Sequence, residues 1–526
     1  MATNSYDDFL WHQTSLGRWE RNIDEIEQFY TSFAKLYEGT GRSMFAVTGY
    51  ISLSVAVPKY SSVQEAERQL EQALRRAWIQ IRHDHPTIAS WVEYDPKSKT
   101  CKKIYEGVQQ GLEVFRLDEW LDETFRVVKT GMSGTEWCNA DPPCPKRPTV
   151  YIITPTGTSS SSTGDRTIHR DIVFRSHHNI MDGIGTLHVL CNLLTYASKA
   201  YFQRIPYQEP KWGGEWTELS PSFHKAASLP SALTPEQEER IEETVAYNAS
   251  LRQNVGIASV PFKRGTVIPG KHQRIAIALS AEQTSRLLTA CKRMGITPTH
   301  AYHAAIAIRL RDLQERRENE RVVRYINYCL INERGNCSEP YCTPQHAVSC
   351  YHSVSGKALS VDLAVPSKGD EINEAKRNEE FTRVVMEMKE FYTEVRDGPN
   401  HTAMVPSYWR QVMQLIPPVD FTVADMSQTV PTPNQTPSVS LSSLGLIDNI
   451  IPSEIGAFSL DSPWVTGDEL GTGLGLYLFT YKGQLNLSAA FNESWHDEEE
   501  VVGFLKGVEG IVGHGLGLTS DSCKSQ

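Results

Sequence analysis

The sequence feature that most constrains the fold is a junction between a strand and a helix in the first half of the chain. Residues 167–176 (TIHRDIVFRS) are β-prone, and residues 185–201 carry apolar side chains at the spacing of a helix with one buried face. The string HHNIMDG at 177–183 lies between them. Side chains at such a junction are held by two rigid elements and still face a cleft, so we expect a functional site at this turn.

The residues before this junction alternate between predicted strands and predicted helices. Apolar residues repeat at helical spacing over 62–84, and the His-Pro pair that follows is expected to end that helix. The other elements predicted here are strands over 44–57, 88–94 and 149–154, a short helix over 121–127, a loop over 135–147 and a turn over 155–165.

A stretch rich in Pro, Trp and Ser over 203–235 predicts a crossover to a second set of elements. Ser280 and Gln283 form a predicted capping box for a helix that runs to Met294. Gly295 is expected to end it. The remaining predicted elements are helices over 235–253, 297–313, 371–395 and 497–511, strands over 273–279, 322–331, 438–444, 474–481 and 485–491, and a proline-rich loop over 417–437.

Composition excludes several classes of protein. The chain has 526 residues, 40% hydrophobic residues and a net charge of −11, which fit several domains or two large lobes and argue against nucleic acid as a partner. There is no secretory signal and no apolar run of roughly 18 residues, so we expect a cytoplasmic protein without a transmembrane segment. The cysteines are then expected to be free thiols. Neither Cys138 with Cys144 nor the group Cys337, Cys342 and Cys350 has zinc-site spacing, so no metal is expected.

The residue types in HHNIMDG suit proton transfer. Histidine is the side chain most easily neutral and basic at pH 7, so His178 could take a proton from a substrate hydroxyl. Asp182 could hold the imidazole, or it could fix the turn by pairing with an arginine. The structural alternative is that His177 and His178 are ordinary strand-end residues and that Asp182 is only a helix N-cap.

The motif and four other segments resemble the chloramphenicol-acetyltransferase-like superfamily, which includes BAHD acyltransferases, alcohol acetyltransferases and peptide-synthetase condensation domains. HHxxxDG corresponds to the active-site motif of that superfamily. The other matching segments are LRRAWIQIRHDHP (74–86), residues 279–310, INYCLINER (326–334) and PSVSLSSLGLID (437–448), so the resemblance covers about residues 44–512.

The resemblance implies an α/β fold of two lobes. Each lobe is expected to be a mixed β-sheet flanked by helices, with an active-site tunnel between the lobes. The implied limits are 1–202 for the first lobe, which carries HHxxxDG, 203–270 for the crossover and 271–526 for the second lobe.

The resemblance also implies roles for individual residues. His178 corresponds to the general base, Asp182 to a structural aspartate that pairs with an arginine, and Gly183 to a small residue beside the substrate. Arg334, at the end of the matching strand, is the expected partner of Asp182, and Arg18 is the second choice.

Other positions are expected to support the site. His177 would be a supporting residue and not a base. Ser440, Ser442 and Ser443 are hydroxyls that could face the reacting carbonyl, although ordinary polar positions in a sheet are the favoured alternative. The plant-type DFGWG motif is absent and SSLGLID stands in its place, so details of coenzyme A recognition do not follow from the resemblance.

The resemblance implies an O-acetyltransferase that uses acetyl-CoA. A closer resemblance to trichothecene acetyltransferases, carried by YDDFLWHQTSLGRWERNIDEIEQFY and HHNIMDGIGT, implies a hydrophobic terpenoid alcohol as acceptor, with transfer to the C-15 hydroxyl. A monomer and direct transfer in a ternary complex are expected, and no G-x-S-x-G nucleophile elbow is present. The alternatives are a carrier-dependent condensation enzyme and a degenerate binding protein.

Overall fold

A computed structural model describes residues 6–108, 117–154, 166–202, 207–370, 373–398, 400–424 and 430–518. Two α/β halves, each with a central sheet and its own hydrophobic core, pack against each other. The turn predicted over 155–165 lies outside the described residues.

The helices of the described residues carry the labels α1 to α12. They are α1 (Glu25–Tyr37), α2 (Val63–Asp84), α3 (Leu117–Thr124), α4 (Gly134–Asn139), α5 (Gly183–Phe202), α6 (Phe223–Ala226), α7 (Pro235–Ser250), α8 (Ala281–Met294), α9 (Pro298–Asp312), α10 (Glu374–Asp397), α11 (His401–Met413) and α12 (Glu498–Gly515).

The strands carry the labels β1 to β19. They are β1 (His12–Ser15), β2 (Arg18–Asn22), β3 (Val47–Ala56), β4 (Trp91–Asp95), β5 (Thr100–Glu106), β6 (Phe125–Lys129), β7 (Thr149–Thr154), β8 (Thr167–Ser176), β9 (Gly256–Ile257), β10 (His272–Ala278), β11 (Arg321–Asn327), β12 (Leu330–Asn332), β13 (His352–Val354), β14 (Leu359–Val365), β15 (Val439–Leu446), β16 (Glu454–Ile455), β17 (Phe458–Gly467), β18 (Leu474–Tyr481) and β19 (Gln484–Asn492).

The first half is built on a six-stranded sheet in the order β16-β17-β3-β8-β7-β6. Strands β3, β8 and β7 pair antiparallel, whereas β6 and β7 pair in parallel. Helices α2 and α5 pack against each other beside this sheet, because each has an apolar face to bury. The central strand β8 ends at Ser176, so the HHNIMDG turn lies directly at that edge of the sheet.

The second half is built on the sheet β10-β19-β18-β15, and apolar side chains of α8, α9, α10 and α12 belong to its core. Helix α8 begins and ends as predicted: Ser280 accepts the Gln283 N–H, and Gly295 has a left-handed φ of 66°. Parallel pairing of β15 with β18 beside antiparallel pairs makes this sheet mixed as well. The predicted α/β class with mixed sheets and flanking helices is confirmed.

Strand β17 lies within the second half of the sequence but belongs to the six-stranded sheet of the first half. Strand β17 pairs antiparallel with β3, and its register shifts after Asp461, where Ser462 has a φ of 50° and Pro463 follows. Such a bulge interrupts the two-residue period by which a strand is found in a sequence, and no strand is predicted there. The lobe limits 1–202 and 271–526 stay predictions. Within those limits, β17 comes from the second lobe and pairs with β3 of the first.

Three local predictions are wrong in detail. The short helix predicted over 121–127 ends at Thr124, where strand β6 takes over. The predicted loop over 135–147 begins inside helix α4. The strand predicted over 88–94 begins only at Trp91, because a turn of 3-10 helix precedes it. These elements are short and adjoin one another, so the sequence contains few turn residues from which their ends could be predicted.

Candidate active site at the HHNIMDG turn

The HHNIMDG string forms the turn between β8 and α5. Asp182 closes the turn, because its Oδ1 accepts the Gly185 N–H at 2.7 Å and its main-chain carbonyl accepts the Thr186 N–H at 2.9 Å. The aspartate therefore caps the helix that follows, which is one of the roles that the sequence left open.

The other carboxylate oxygen of Asp182 ties the turn to the second half of the protein. Oδ2 accepts Arg334 Nη1 at 2.8 Å and the Tyr351 N–H at 2.9 Å. Burial opposes ionisation, but the attraction of Arg334 outweighs it, and the pKa of Asp182 lies below its usual value. Arg18 is engaged with glutamates of its own sheet. The structure thus brings Asp182 and Arg334 together, and no hydrogen bond joins Asp182 to the His178 ring.

The glycine that packing requires in this turn is Gly185, whereas the role expected of Gly183 beside the substrate stays a prediction. A Cβ on Gly185 would lie 2.2 Å from a main-chain carbonyl oxygen and 2.9 Å from Arg334 Nη2, so a side chain there would displace the arginine from Asp182. A Cβ on Gly183 would meet only methyl groups at 3.5 and 3.6 Å, which is ordinary packing. Gly183 does line the cavity described next.

His178 lies on the wall of a cavity of about 200 Å³ that side chains of both halves enclose. Its ring stacks on the Tyr30 ring, with centroids 3.6 Å apart and planes 6° from parallel. Its Nδ1 is buried and has no hydrogen-bond partner among the described residues. Burial, with the nearby His352 as a smaller cause, lowers the pKa of His178 to about 3. The ring is therefore neutral at pH 7 and able to accept a proton.

His177 faces other partners. Its Nδ1 lies 3.2 Å from Ser43 Oγ and its Nε2 lies 3.9 Å from Cys144 Sγ. Burial, reinforced by the positive charge of Arg175, lowers the pKa of His177. Because both ring nitrogens have neighbours and the ring does not line the cavity, His177 offers no free base, and its supporting role stays a prediction.

The cavity wall is largely apolar and comes from both halves of the chain. The apolar side chains that line it are Val47, Ile184, Leu330, Ile331, Leu444 and Val465. Such a wall suits a hydrophobic ligand with few polar anchors.

Two of the three candidate serines reach this cavity. Ser442 and Ser443 line it where β15 bulges, and Ser443 Oγ lies 2.8 Å from Thr299 Oγ1. Ser440 is exposed and lies outside the cavity, because two residues along a strand correspond to a displacement of about 7 Å. Ser442 is thus the serine best placed to face a reacting carbonyl.

Sequence reasoning missed two aromatic residues of the cavity. The Tyr30 hydroxyl lies 3.0 Å from His352 Nε2, and the His352 ring centroid lies 5.6 Å from that of His178. Tyr30 is the last residue of the N-terminal segment that carried the closer resemblance, so that segment was the available signal. His352 stands in no recognisable pattern, and only the folded chain shows where it lies.

No group of His, Cys, Asp or Glu side chains among the described residues is arranged to hold a metal ion. None of the helices in the described ranges combines the length and apolar character that crossing a bilayer requires.

Two acetyltransferases of Monascus ruber are similar to the chain along nearly its whole length, although no family model matches it. Acetyltransferase pigO is 23% identical over 515 residues, which is 97% of this chain and 99% of that one. O-acetyltransferase pigM is 24% identical over 520 residues, 97% of this chain and 88% of that one. TRI3 trichothecene 15-O-acetyltransferase from Fusarium sporotrichioides has the same fold, with a TM-score of 0.76 and 16% identity over 97% of this chain and 98% of that one.

The similarity to named acetyltransferases in sequence and in fold supports an acyltransferase.

The fold of this acyltransferase is also found outside the acetyltransferases. The first condensation domain of the calcium-dependent antibiotic synthetase matches it with a TM-score of 0.60 and 12% identity, over 96% of this chain and 97% of that one. The matches to TRI3 and to the condensation domain confirm the predicted chloramphenicol-acetyltransferase-like fold, and the relatives support the predicted resemblance to acetyltransferases. The acyltransferase therefore presents its HHNIMDG turn on a fold that serves both ester-forming and condensation enzymes.

Proposed function

We propose that this acyltransferase moves an acetyl group from acetyl-CoA to a hydroxyl of a hydrophobic terpenoid alcohol of the trichothecene type, at C-15. The observation that carries the proposal is the state of His178. Its ring is neutral and lines the cavity between the halves, and its Nδ1 has no hydrogen-bond partner among the described residues. The apolar wall and the similarity in fold to TRI3 support the choice of acceptor.

In the proposed step, the acceptor hydroxyl donates its proton to His178 as its oxygen attacks the thioester carbon. The new C–O bond forms while the carbonyl oxygen takes negative charge, and the tetrahedral intermediate then collapses by breaking the C–S bond. The sulfur leaves as the CoA thiolate and takes the proton back from the imidazolium. The products are an ester and a thiol, and the enzyme returns to its starting state without an acyl-enzyme.

Two other groups support this step in the proposal. An imidazole with a pKa near 3 is a weak base, so alignment of the two substrates has to contribute much of the rate. Ser442 could donate a hydrogen bond to the oxyanion. The Asp182–Arg334 pair joins the two cavity walls. Because both walls come from one chain, the proposed enzyme is complete as a monomer.

The proposal is tested by thiol release from acetyl-CoA on addition of a panel of deacetylated trichothecenes, with products identified by mass spectrometry. We expect release that depends on the alcohol and a C-15 acetyl ester as product, both absent with the His178→Ala protein. An ester at another position would support the proposed reaction but show that the C-15 assignment is wrong. Turnover only with carrier-bound acceptors would favour the condensation alternative, and no turnover with any acceptor would favour a binding protein.

A further inference from the structure

We propose that Tyr30 and His352 are positioning residues that hold the His178 ring in its reactive orientation, a role that rests on the proposed transfer reaction. The three rings adjoin one another in the cavity wall. Tyr30 stacks on His178 with centroids 3.6 Å apart, and the Tyr30 hydroxyl lies 3.0 Å from His352 Nε2. Tyr30 comes from α1 and His352 from β13, so two distant segments of the chain meet at the base.

His178 needs such support because, among the described residues, no side-chain hydrogen bond to its Nδ1 fixes the ring. Asp182, the nearest carboxylate along the chain, uses its oxygens for Arg334 and for main-chain N–H groups. A general base has to lie within hydrogen-bond reach of the proton, and a displacement of about 1 Å can lower a rate about 10²-fold. The face of Tyr30 restricts the His178 ring to one plane.

His352 holds Tyr30 in turn. It opens strand β13 and pairs with Asn332 of β12, and the residue before it, Tyr351, donates its N–H to Asp182. The same segment therefore anchors the Asp182 carboxylate and presents the ring that meets the Tyr30 hydroxyl. Burial raises the pKa of Tyr30 well above its usual value, so the hydroxyl stays protonated and can donate to His352.

The core of the second half supplies a matched control. The Tyr325 hydroxyl lies 2.8 Å from His303 Nε2, and both residues are buried. This pair repeats the tyrosine–histidine contact of Tyr30 and His352, but neither residue lines the cavity that contains His178. A defect in packing alone should affect both tyrosines alike, whereas a positioning role should affect Tyr30 only.

The experiment compares kcat and KM of folded Tyr30→Phe, Tyr30→Leu and Tyr325→Leu proteins, using acetyl-CoA and an alcohol that the wild type accepts. Tyr30→Phe keeps the stacked face but loses the contact with His352, and we expect its kcat about three- to tenfold lower. Tyr30→Leu removes that face, and we expect kcat about 10- to 100-fold lower with KM for acetyl-CoA within about threefold. Tyr325→Leu should lose stability and keep kcat. A wild-type kcat in folded Tyr30→Leu would overturn the proposal, as would an equal loss in Tyr325→Leu.

The partner of Tyr30 is tested in the same way, which also covers a Tyr30→Leu protein that fails to fold. His352→Gln keeps a polar group for the Tyr30 hydroxyl, and we expect about half of wild-type kcat or more. His352→Leu leaves that hydroxyl without its partner, and we expect kcat about three- to tenfold lower. Equal kcat for the two His352 variants would contradict the role assigned to His352.

A structural readout separates this inference from the proposed function. Crystal structures should show one orientation of the His178 ring in the wild type and more than one in Tyr30→Leu or, if that protein does not fold, in His352→Leu. If the wild type transfers acetyl to no alcohol, the proposed function fails while the order of the ring still decides this inference. A single, unchanged ring orientation in the variant would overturn it.

Discussion

Two buried histidines, one in each half of the molecule, share their electrostatics and differ in their surroundings. Burial lowers the pKa of both His178 and His303 to about 3. In the second half, the hydroxyls of Tyr392 and Tyr325 lie 3.0 and 2.8 Å from the two ring nitrogens of His303. In the first half, His178 has a tyrosine against its face, and its ring edge meets the cavity.

The difference shows why a lowered pKa is not enough to mark a catalytic residue. A neutral histidine whose two nitrogens are hydrogen-bonded by neighbours is a satisfied part of a core. A neutral histidine with an unengaged nitrogen beside a cavity can accept a proton from a ligand. Geometry and hydrogen bonding therefore separate two residues that their pKa values do not.

Replacing each histidine by alanine should separate the two regions most strongly. His178→Ala is expected to lower kcat about 10²- to 10⁴-fold, the effect of losing a general base, with little change in thermal unfolding. His303→Ala is expected to keep kcat and lose stability, because it removes the histidine partner of the Tyr325 and Tyr392 hydroxyls. Thiol release and thermal unfolding measure the two effects. A folded His178→Ala protein with near-normal turnover would remove His178 from the mechanism.

The aspartate–arginine pair that joins the two halves also differs from one within the second half, which gives the next largest effect. Asp182→Ala is expected to cost about 3–5 kcal/mol of unfolding free energy and to lower kcat, because it leaves Arg334 buried and unpaired. Asp362, which is half exposed in its pair with Arg324, should cost less than about 1 kcal/mol when replaced by alanine. Urea unfolding measures both. Equal losses for the two variants would show that the Asp182 pair is no more than a surface ion pair.

Local signals made the turn and the α8 helix predictable from the sequence. The β-prone run before HHNIMDG, the apolar spacing after it and the capping residue Ser280 are all patterns among residues close together in the sequence. The Asp182–Arg334 pair was different, because its two residues are far apart in sequence and only the resemblance pointed to their contact.

Long-range contacts explain what the sequence did not predict. Tyr30 and His352 meet His178 only after α1 and β13 have packed beside the turn, and no spacing rule connects them. Strand β17 joins the first sheet through a bulge, which hides its alternation. Gly185 is required because a Cβ there would clash with the Ala347 carbonyl oxygen and meet Arg334, both far from it in sequence.

The serines of β15 extend the comparison within a single strand. Ser442→Ala is expected to lower kcat by up to about 10²-fold, because one donor to the oxyanion would be lost. Ser440→Ala, on the exposed part of the strand, is expected to leave kcat unchanged. Steady-state kinetics on the two variants decide between an oxyanion donor and an ordinary polar position. Unchanged kcat in Ser442→Ala would assign Ser442 to the second class.

The smallest effect is expected in the pH dependence of stability, to which His303 contributes. Its pKa is about 3 in the folded protein and about 6.5 when unfolded, so the unfolded chain binds the proton first as pH falls. His303 therefore lowers stability by roughly 1 kcal/mol for each pH unit below about 6.5. His303→Gln keeps hydrogen-bonding groups and does not titrate, so its unfolding free energy should fall less between pH 7 and pH 4.5. An identical fall in both proteins would contradict the lowered pKa.

The most direct test of the account is a crystal structure of the wild-type acyltransferase with coenzyme A and an accepted alcohol. We expect the CoA sulfur and the alcohol in the cavity between the halves, with the acceptor oxygen about 3 Å from a ring nitrogen of His178. An acceptor oxygen beyond hydrogen-bond reach of His178, or bound at a different cavity, would contradict the claim that this histidine is the base.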